Sequence, residues 1–142
     1  PNPSGGCLLT DPGFTKRVRD LMAHNELNLE SLRLLKVGRH FRVSETTKLV
    51  IGRDQKENDI IRSLIKDGDI CFQLEGRQGP FSILRGSVDD ALIVSSAEII
   101  AQHTKYRDEE TLKVGYWKFG SEERRTISVK AASVDKVTKI RI

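Results

Sequence analysis

The stretch from Leu49 to Arg107 constrains the fold most, because short strands and helices follow one another there without a regular strand–helix–strand repeat. Asp54 with Glu57 three residues later is typical of a helix N-terminus, and Asp89 before a long segment with an apolar face predicts another. Alternating apolar residues predict strands around these helices. The pattern predicts an α+β fold with a mixed, largely antiparallel sheet and two or three helices.

The elements outside this stretch divide the chain into two predicted parts. Residues 1–38 are predicted to form an arm followed by short helices, with Asp11 and Pro12 at the start of the first helix. Residues 39–142 are predicted to form the compact domain, which takes in three strands from the last third of the chain. These strands are predicted over Leu112–Phe119, Thr126–Ala131 and Val137–Ile142.

Composition excludes two broad classes of protein. Of the 142 residues, 37% are hydrophobic and 31% are charged, which argues against wholesale disorder, and no apolar run approaches the roughly 20 residues that span a bilayer. Cys7 and Cys71 lie far apart outside a secretory context, so we expect free thiols and a cytoplasmic location. The formal charge of +4 permits nucleic-acid binding without requiring it. An amino end that reads Pro-Asn-Pro without Met is expected of a piece of a larger protein.

Known catalytic and metal-binding patterns are missing from the sequence. His24, His40 and His103 are scattered, and neither cysteine has a partner at the spacing of zinc ligands, so no metal site is expected. Ser4-Gly5-Gly6 lacks the Asp and Ser that complete a pyrophosphate-binding loop, and no Walker loop or dinucleotide fingerprint occurs. We therefore expect neither ATP nor another cofactor within this chain, and the residues alone leave open whether it takes part in an enzyme.

Glycines and basic residues coincide at the ends of several predicted elements. Backbone N–H groups beside glycines, together with arginine side chains, suit a polyanion such as a nucleic-acid backbone. The basic residues at these places are Arg53, Lys56, Arg77, Lys105 and Arg107. Tyr106 and Trp117 offer aromatic faces on which bases can stack. Four further cations face the carboxylate of Glu45 across the first predicted hairpin: Lys36, Arg39, Arg42 and Lys48.

Simpler interpretations of the same residues remain open. Gly52 and Gly79 are also what two tight turns require. Arg53 is also placed for a salt bridge with Asp59 or Asp69, and the basic residues as a set are compatible with an ordinary solvated surface. Charge alone therefore does not decide between a binding face and an inert one.

Three motifs occur in the order and spacing of a known family. Gly52-Arg53-Asp54 is followed by Asn58-Asp59, a glycine-proline turn spans Gly76–Pro80, and a helix ends at Thr104-Lys105-Tyr106-Arg107. From Leu49 to about Val129 the chain thus resembles the NFACT RNA-binding domain, found in ribosome-associated quality-control proteins and in some bacterial tRNA-modifying proteins. The resemblance implies that Asn58 joins the RNA-binding residues. The chain departs from the family at Cys71 and Gln73, where the family has an aromatic residue and a histidine.

Cys7 lies on a Gly-Gly arm a few residues before a predicted helix N-terminus, where amide dipoles activate thiols. The alternative is an exposed cysteine without a role. The segment Ser4–Thr10, followed by Phe14 and a basic helix, resembles the segment around the second cysteine of tRNA 2-thiouridylases. That resemblance implies a larger protein in which an upstream PP-loop domain uses ATP to activate a tRNA uridine, with Cys7 as the sulfur-transfer cysteine.

The sequence thus predicts the RNA-binding part of a bacterial tRNA 2-thiouridylase-like protein, an ATP-dependent tRNA sulfurtransferase. Its expected partners are tRNA or another structured RNA and the upstream PP-loop domain, with no membrane. The alternative is a non-catalytic interaction domain that binds ribosomal RNA or a protein partner, as in ribosome quality-control factors.

Overall fold

The computed structural model describes residues 12–142, which form five helices and six strands. Two helices and a hairpin come first: α1 (Pro12–Ala23), α2 (Leu29–Leu35), β1 (Arg39–Ser44) and β2 (Thr47–Ile51). The later elements are α3 (Gln55–Ser63), β3 (Ile70–Leu74), β4 (Ser82–Gly86), α4 (Asp90–Gln102), β5 (Leu112–Lys118), β6 (Arg124–Val129) and α5 (Val134–Ile140). Cys7 and Asp11, on which two predictions rest, lie outside the described residues.

All six strands belong to one sheet with the order β1-β2-β4-β3-β5-β6. Every neighbouring pair in it is antiparallel. At the β1 edge, Phe41 forms an isolated bridge with Arg141, and the Ile142 N–H donates to the His40 C=O (2.9 Å). The predicted α+β class is confirmed, as are three helices within residues 39–142.

Helices cover both faces of the sheet, because side chains alternate along each strand. In β2, Leu49 and Ile51 pack into a core with α4 and α5, whereas Val50 packs on the opposite face with α2 and α3. Both faces of the central strands are thus buried. A charged side chain at such a position needs a partner or an unusual ionisation state.

Carboxylate caps start the two long helices that follow strands, as the sequence predicts. The Asp54 side chain accepts from the Glu57 N–H (2.9 Å), and the Asp89 side chain accepts from the Leu92 N–H (2.8 Å). Each cap satisfies an N–H group that the first helical turn leaves without an intrahelical partner.

The predicted strand Val137–Ile142 is wrong, because residues 134–140 form helix α5. Ser133 caps this helix, its Oγ accepting from the Lys136 N–H (3.2 Å). Val137 and Ile140 lie one turn apart and pack on the core. The β-branched residues favour a strand by their propensity. The segment is nevertheless a helix, because Val137 and Ile140, three residues apart, then both pack against the core.

Helices α1 and α2 pack on the first hairpin. Arg17 donates to the Leu35 C=O (2.8 Å), and Leu21 and Leu34 are buried. The division of the chain after residue 38 stays a prediction. No helix described between residues 12 and 142 is long and apolar enough to cross a membrane.

Candidate nucleic-acid interface

A groove of about 550 Å³ opens at the end of the sheet where β1 begins and β2 ends. The pairing of Arg39 with Ile51 sets Arg39 beside the Gly52-Arg53 loop that leads into α3. The turn before β4 and the C-terminal end of α4 complete its walls. The groove is lined by Arg39, Gly52, Arg53, Asp54, Gln55, Asn58, Gln78, Gly79, Pro80, His103, Thr104 and Lys105.

Gly52 and Asn58 hold the base of the groove together. The Gly52 N–H donates to the Phe81 C=O (3.0 Å), and the Phe81 N–H donates to the Asn58 Oδ1 (3.0 Å). A Cβ at position 52 would overlap this Oδ1, so the close approach of β2 to α3 requires glycine. Asn58, predicted to contact RNA, is 7% exposed and joins α3 to the start of β4.

Arg53 reaches the groove while bound to Glu57. Its Nε and Nη2 donate to the two carboxylate oxygens of Glu57 (2.9 and 2.8 Å), and its N–H donates to Oε1 (3.0 Å). These bonds, led by the side-chain contact with Arg53, lower the pKa of Glu57 to about 2. Neither Asp59 nor Asp69 is the partner of Arg53. Because the Arg53 side chain is 45% exposed, its outer surface remains accessible to a phosphate.

Arg39 lies among like charges in the groove. Burial lowers the pKa of Arg39, and the charges of Arg141 and Arg53 lower it further. Burial also lowers the pKa of His103, with further contributions from Arg39 and Arg141. Within residues 12–142, Arg39 and Lys105 form no ion pair. Such an arrangement gains free energy when an anion enters.

The remaining predicted residues do not line this groove. Lys56 is exposed on the first turn of α3, and Arg107 is exposed after α4. Arg77 pairs with Glu109 (2.6 Å), and its guanidinium lies 4.5 Å from the ring centroid of Tyr106. The guanidinium of Arg77 thus already interacts with Glu109 and Tyr106, while the side chains of Lys56 and Arg107 are exposed to solvent.

Two parts of the sequence argument need correction. The backbone amides at the Gly52 loop are not available to an anion, because the N–H groups of Gly52 and Arg53 both donate hydrogen bonds within the protein. Gly52 and Gly79 do not supply left-handed turn geometry either, since neither has a positive φ. A Cβ on Gly79 would lie 2.7 Å from Leu74 Cδ1, so both glycines serve close packing.

The basic hairpin surface predicted from the sequence is also wrong in part. Arg42 is bound by Asp20 and Glu26, and Lys48 is 7% exposed. Of the two aromatic candidates, Tyr106 lies beside Lys105 and Arg77, whereas Trp117 packs near Phe81 under the guanidinium of Arg124.

Cys71 is free and buried in β3. Burial, followed by the charge of Asp69, raises the pKa of its thiol to about 11, which makes it a poor nucleophile. No group of three or more His, Cys, Asp or Glu side chains in the described part of the chain could hold a metal ion.

Arg39 and His103 line the groove, although neither is among the residues that the sequence predicts to bind RNA. A signal for Arg39 exists in the sequence, since pairing the first hairpin about its turn places residue 39 opposite residue 51. His103 follows the predicted α4, but its position opposite the hairpin depends on long-range packing against Phe41 (ring centroids 5.2 Å apart).

Comparison with known proteins gives a family and a fold. Residues 38–141 match the model of the NFACT protein RNA-binding domain. The structure is similar to that of the C-terminal region of the fibronectin/fibrinogen-binding protein from Streptococcus suis, with a TM-score of 0.65 and 16% sequence identity. The similarity covers 87% of this chain and 58% of that one. No curated protein sequence matches the chain significantly.

The protein belongs to the NFACT RNA-binding domain family, because the family match covers most of its length. The likeness to the streptococcal structure supports the fold, and that chain extends well beyond the aligned region. RNA is therefore the class of ligand that the family match indicates for this chain.

Proposed function

We propose that the groove binds the phosphate backbone of a structured RNA, and that tRNA is its preferred ligand. The observation that carries this proposal is the convergence of Arg39, Arg53 and Lys105 at one end of the sheet in a chain of an RNA-binding family. Three separate segments, the start of β1, the β2–α3 loop and the end of α4, supply these cations.

The mechanism is electrostatic. A phosphate next to Arg39 and Lys105 can form direct ion pairs with both cations, neither of which forms an ion pair among residues 12–142. Arg53 contributes its exposed side while Glu57 fixes the orientation of its guanidinium. Asp54 is the carboxylate among the lining residues, and it limits how many phosphates the groove accepts. Binding of this kind releases counterions and weakens as salt concentration rises.

The experiment that tests this interface is RNA binding as a function of salt concentration. Arg39→Gln and Lys105→Gln should each reduce the salt slope of tRNA binding by roughly one unit, and the double variant by about two. Lys118→Gln is the matched control, since Lys118 is exposed and ends β5 next to the start of β3, at the opposite end of the sheet. Thermal unfolding should be nearly unchanged in all of them. An unchanged salt slope in the double variant would exclude the groove as the RNA-binding site.

The kind of RNA can be tested with the same protein. Competition between a tRNA and a ribosomal RNA fragment of equal length should favour the tRNA by roughly tenfold, equivalent to about 1.4 kcal/mol. Equal affinity, or preference for the ribosomal fragment, would instead support a non-catalytic ribosome-associated role. That second function is compatible with the family match, because the family is described as RNA-binding and no particular RNA is specified.

We propose in addition that the larger protein is a tRNA 2-thiouridylase in which Cys7 carries the transferred sulfur. This finer proposal is supported by the sequence resemblance of residues Ser4–Thr10 alone. In the full-length protein, with its upstream PP-loop domain and ATP, Cys7→Ser should abolish 2-thiolation and leave tRNA affinity nearly unchanged, because an alcohol cannot hold a persulfide. Normal thiolated tRNA from that variant would remove the catalytic role and leave RNA binding untouched.

A further inference from the structure

Three cations occupy facing positions on neighbouring strands. Arg42 of β1 pairs in register with Lys48 of β2, and Lys48 pairs in register with Arg85 of β4. We call these three residues the cation row. Because directly paired residues of antiparallel strands point to the same face, the three side chains lie on one side of the sheet.

The two arginines of the cation row have carboxylate partners. Arg42 donates to both oxygens of Glu26 (3.1 and 2.8 Å) and also binds Asp20. Arg85 donates to both oxygens of Asp69 (2.9 and 2.7 Å). These ion pairs occupy the nearby carboxylates, and Asp20 and Glu26 act on the lysine between the arginines only through their charge, which raises its pKa against the larger effect of burial.

Lys48 is the member of the row without a partner. It is 7% exposed, and it makes no hydrogen bond or ion pair with any residue from 12 to 142. Burial, as the largest cause, lowers its pKa to about 7. The charged and titratable groups that surround it come from α1 and the loop after it, from β1 and β4, and from the loop before β3. They are Arg17, Asp20, Glu26, His40, Arg42, Lys66 and Arg85.

A cavity of about 290 Å³ lies against Lys48, between the first two helices and the sheet. Leu21, Leu34 and Val50 form its apolar wall. Its polar wall includes the Asn28 amide, whose Oδ1 accepts from the Ser31 N–H (2.8 Å). The walls thus supply apolar surface and an unpartnered ammonium group, which is the composition of a small-molecule site.

A ligand of this cavity must accept hydrogen bonds from the Lys48 ammonium. An ammonium has three donors and no acceptor, and its burial is offset best by a group that is negatively charged. Glu26, the carboxylate in the lining, is already bound to Arg42, and Lys66 and Arg85 bring the cations in the lining to three. An oxyanion therefore fits this position better than a neutral or cationic group.

We propose that this cavity binds a small molecule carrying a carboxylate or phosphate group, with the Lys48 ammonium as the principal donor to its oxyanion. The site is separate from the RNA groove. Its outer wall comes from α1 and α2, which precede residue 38, where the family match begins. This inference does not rest on RNA binding.

The test follows the Lys48 side chain by NMR while acetate, inorganic phosphate or citrate is added to the whole chain. An oxyanion binds the ammonium and not the neutral amine, so binding raises the pKa of Lys48. Affinity is then highest below pH 7 and falls about tenfold per pH unit above it, until the pKa of the bound state is reached. A pKa of Lys48 that no probe moves would overturn the proposal, and this measurement needs no substitution.

The comparison of Lys48→Met with Lys118→Met locates the binding. Lys48→Met keeps the length and apolar volume of the side chain, and it should abolish binding of the tightest probe. Lys118→Met should bind that probe as the wild-type protein does. Binding retained by a folded Lys48→Met variant would assign the probe to another cation and overturn the proposal.

Discussion

The groove and the cation row each bring three cations together, at one end of the sheet and on one of its faces, and the surroundings of the two sets differ. Arg39 is partly buried and Lys105 is exposed in the groove, and neither forms an ion pair among the described residues, whereas Arg42 and Arg85 of the row are neutralised by carboxylates. The groove is therefore suited to a large external polyanion. The row is suited to structural stability and, at Lys48, to a small ligand. Burial and partners thus make cations of the same kind differently available to a ligand.

Arg85→Met should have the largest effect of any change in the row. Asp69 is 1% exposed and would remain as an uncompensated buried charge, so we expect a loss of roughly 3–5 kcal/mol of unfolding free energy in urea titrations. Arg85→Met/Asp69→Asn should recover part of that loss. RNA affinity of the folded variant should stay at the wild-type level. A loss below about 1 kcal/mol would show that this pair is not the stabilising contact described here.

Gly52→Ala should have the next largest effect, and it connects the groove to stability. The new Cβ displaces the Asn58 carboxamide from the Phe81 N–H, which should cost roughly 2–4 kcal/mol and weaken RNA binding as well. Gly120→Ala is the control, because its Cβ would meet Asp67 only at 3.9 Å although its φ is +93°. That variant should lose about 1 kcal/mol from backbone strain alone. Equal losses in the two variants would refute the steric explanation.

Lys48→Met should raise stability by roughly 2 kcal/mol near pH 6. The folded-state pKa of Lys48, about 7, lies below its ordinary value of 10.5, so the folded protein disfavours the charged form. Wild-type stability should consequently rise as pH increases from about 7 to 10.5, and the variant should lack this rise. Urea midpoints measured across that range test it. A wild-type curve that is flat there would mean that Lys48 is solvated.

Arg53→Met should have the smallest effect on stability, roughly 1 kcal/mol, because the arginine is nearly half exposed. The depressed pKa of Glu57 contributes stability that is fully present above about 4.5 and is lost as pH falls towards about 2. The variant should show a shallower acid loss than the wild-type protein. Its salt slope for RNA should also fall by about one unit. A steeper acid loss in the variant would contradict the assignment of the Arg53–Glu57 pair.

Local signals in the sequence predict much of this fold. Asp54 and Asp89 mark helix starts through a hydrogen bond that each residue makes three positions further along the chain. At the end of the chain, Ser133 offers a similar signal, yet Val137, Thr138 and Ile140 suggest a strand. There the outcome depends on which side chains the core can bury, which is a property of the whole fold.

The site shows the same division between local and long-range information. The motif resemblance predicts that Arg53, Asn58 and Lys105 bind RNA, and the structure places all three around one groove. The partners of Arg42 could not be read from the sequence, because Asp20 and Glu26 lie 22 and 16 residues away and reach it through helix packing. Charge patterns predict where cations lie, while tertiary contacts determine which of them remain available.

The bridge at Phe41 and the Ile142 N–H bond also decide how this sheet can meet other proteins. The Ile142 N–H occupies the outward C=O of His40 and the chain end covers β1 beside Phe41, so another strand cannot be added there. Within residues 12–142, β6 is the edge that remains open, and it begins with Arg124 and Arg125. Addition of a partner strand by β-augmentation is therefore blocked at this part of β1, and two copies cannot join through their first strands at this position.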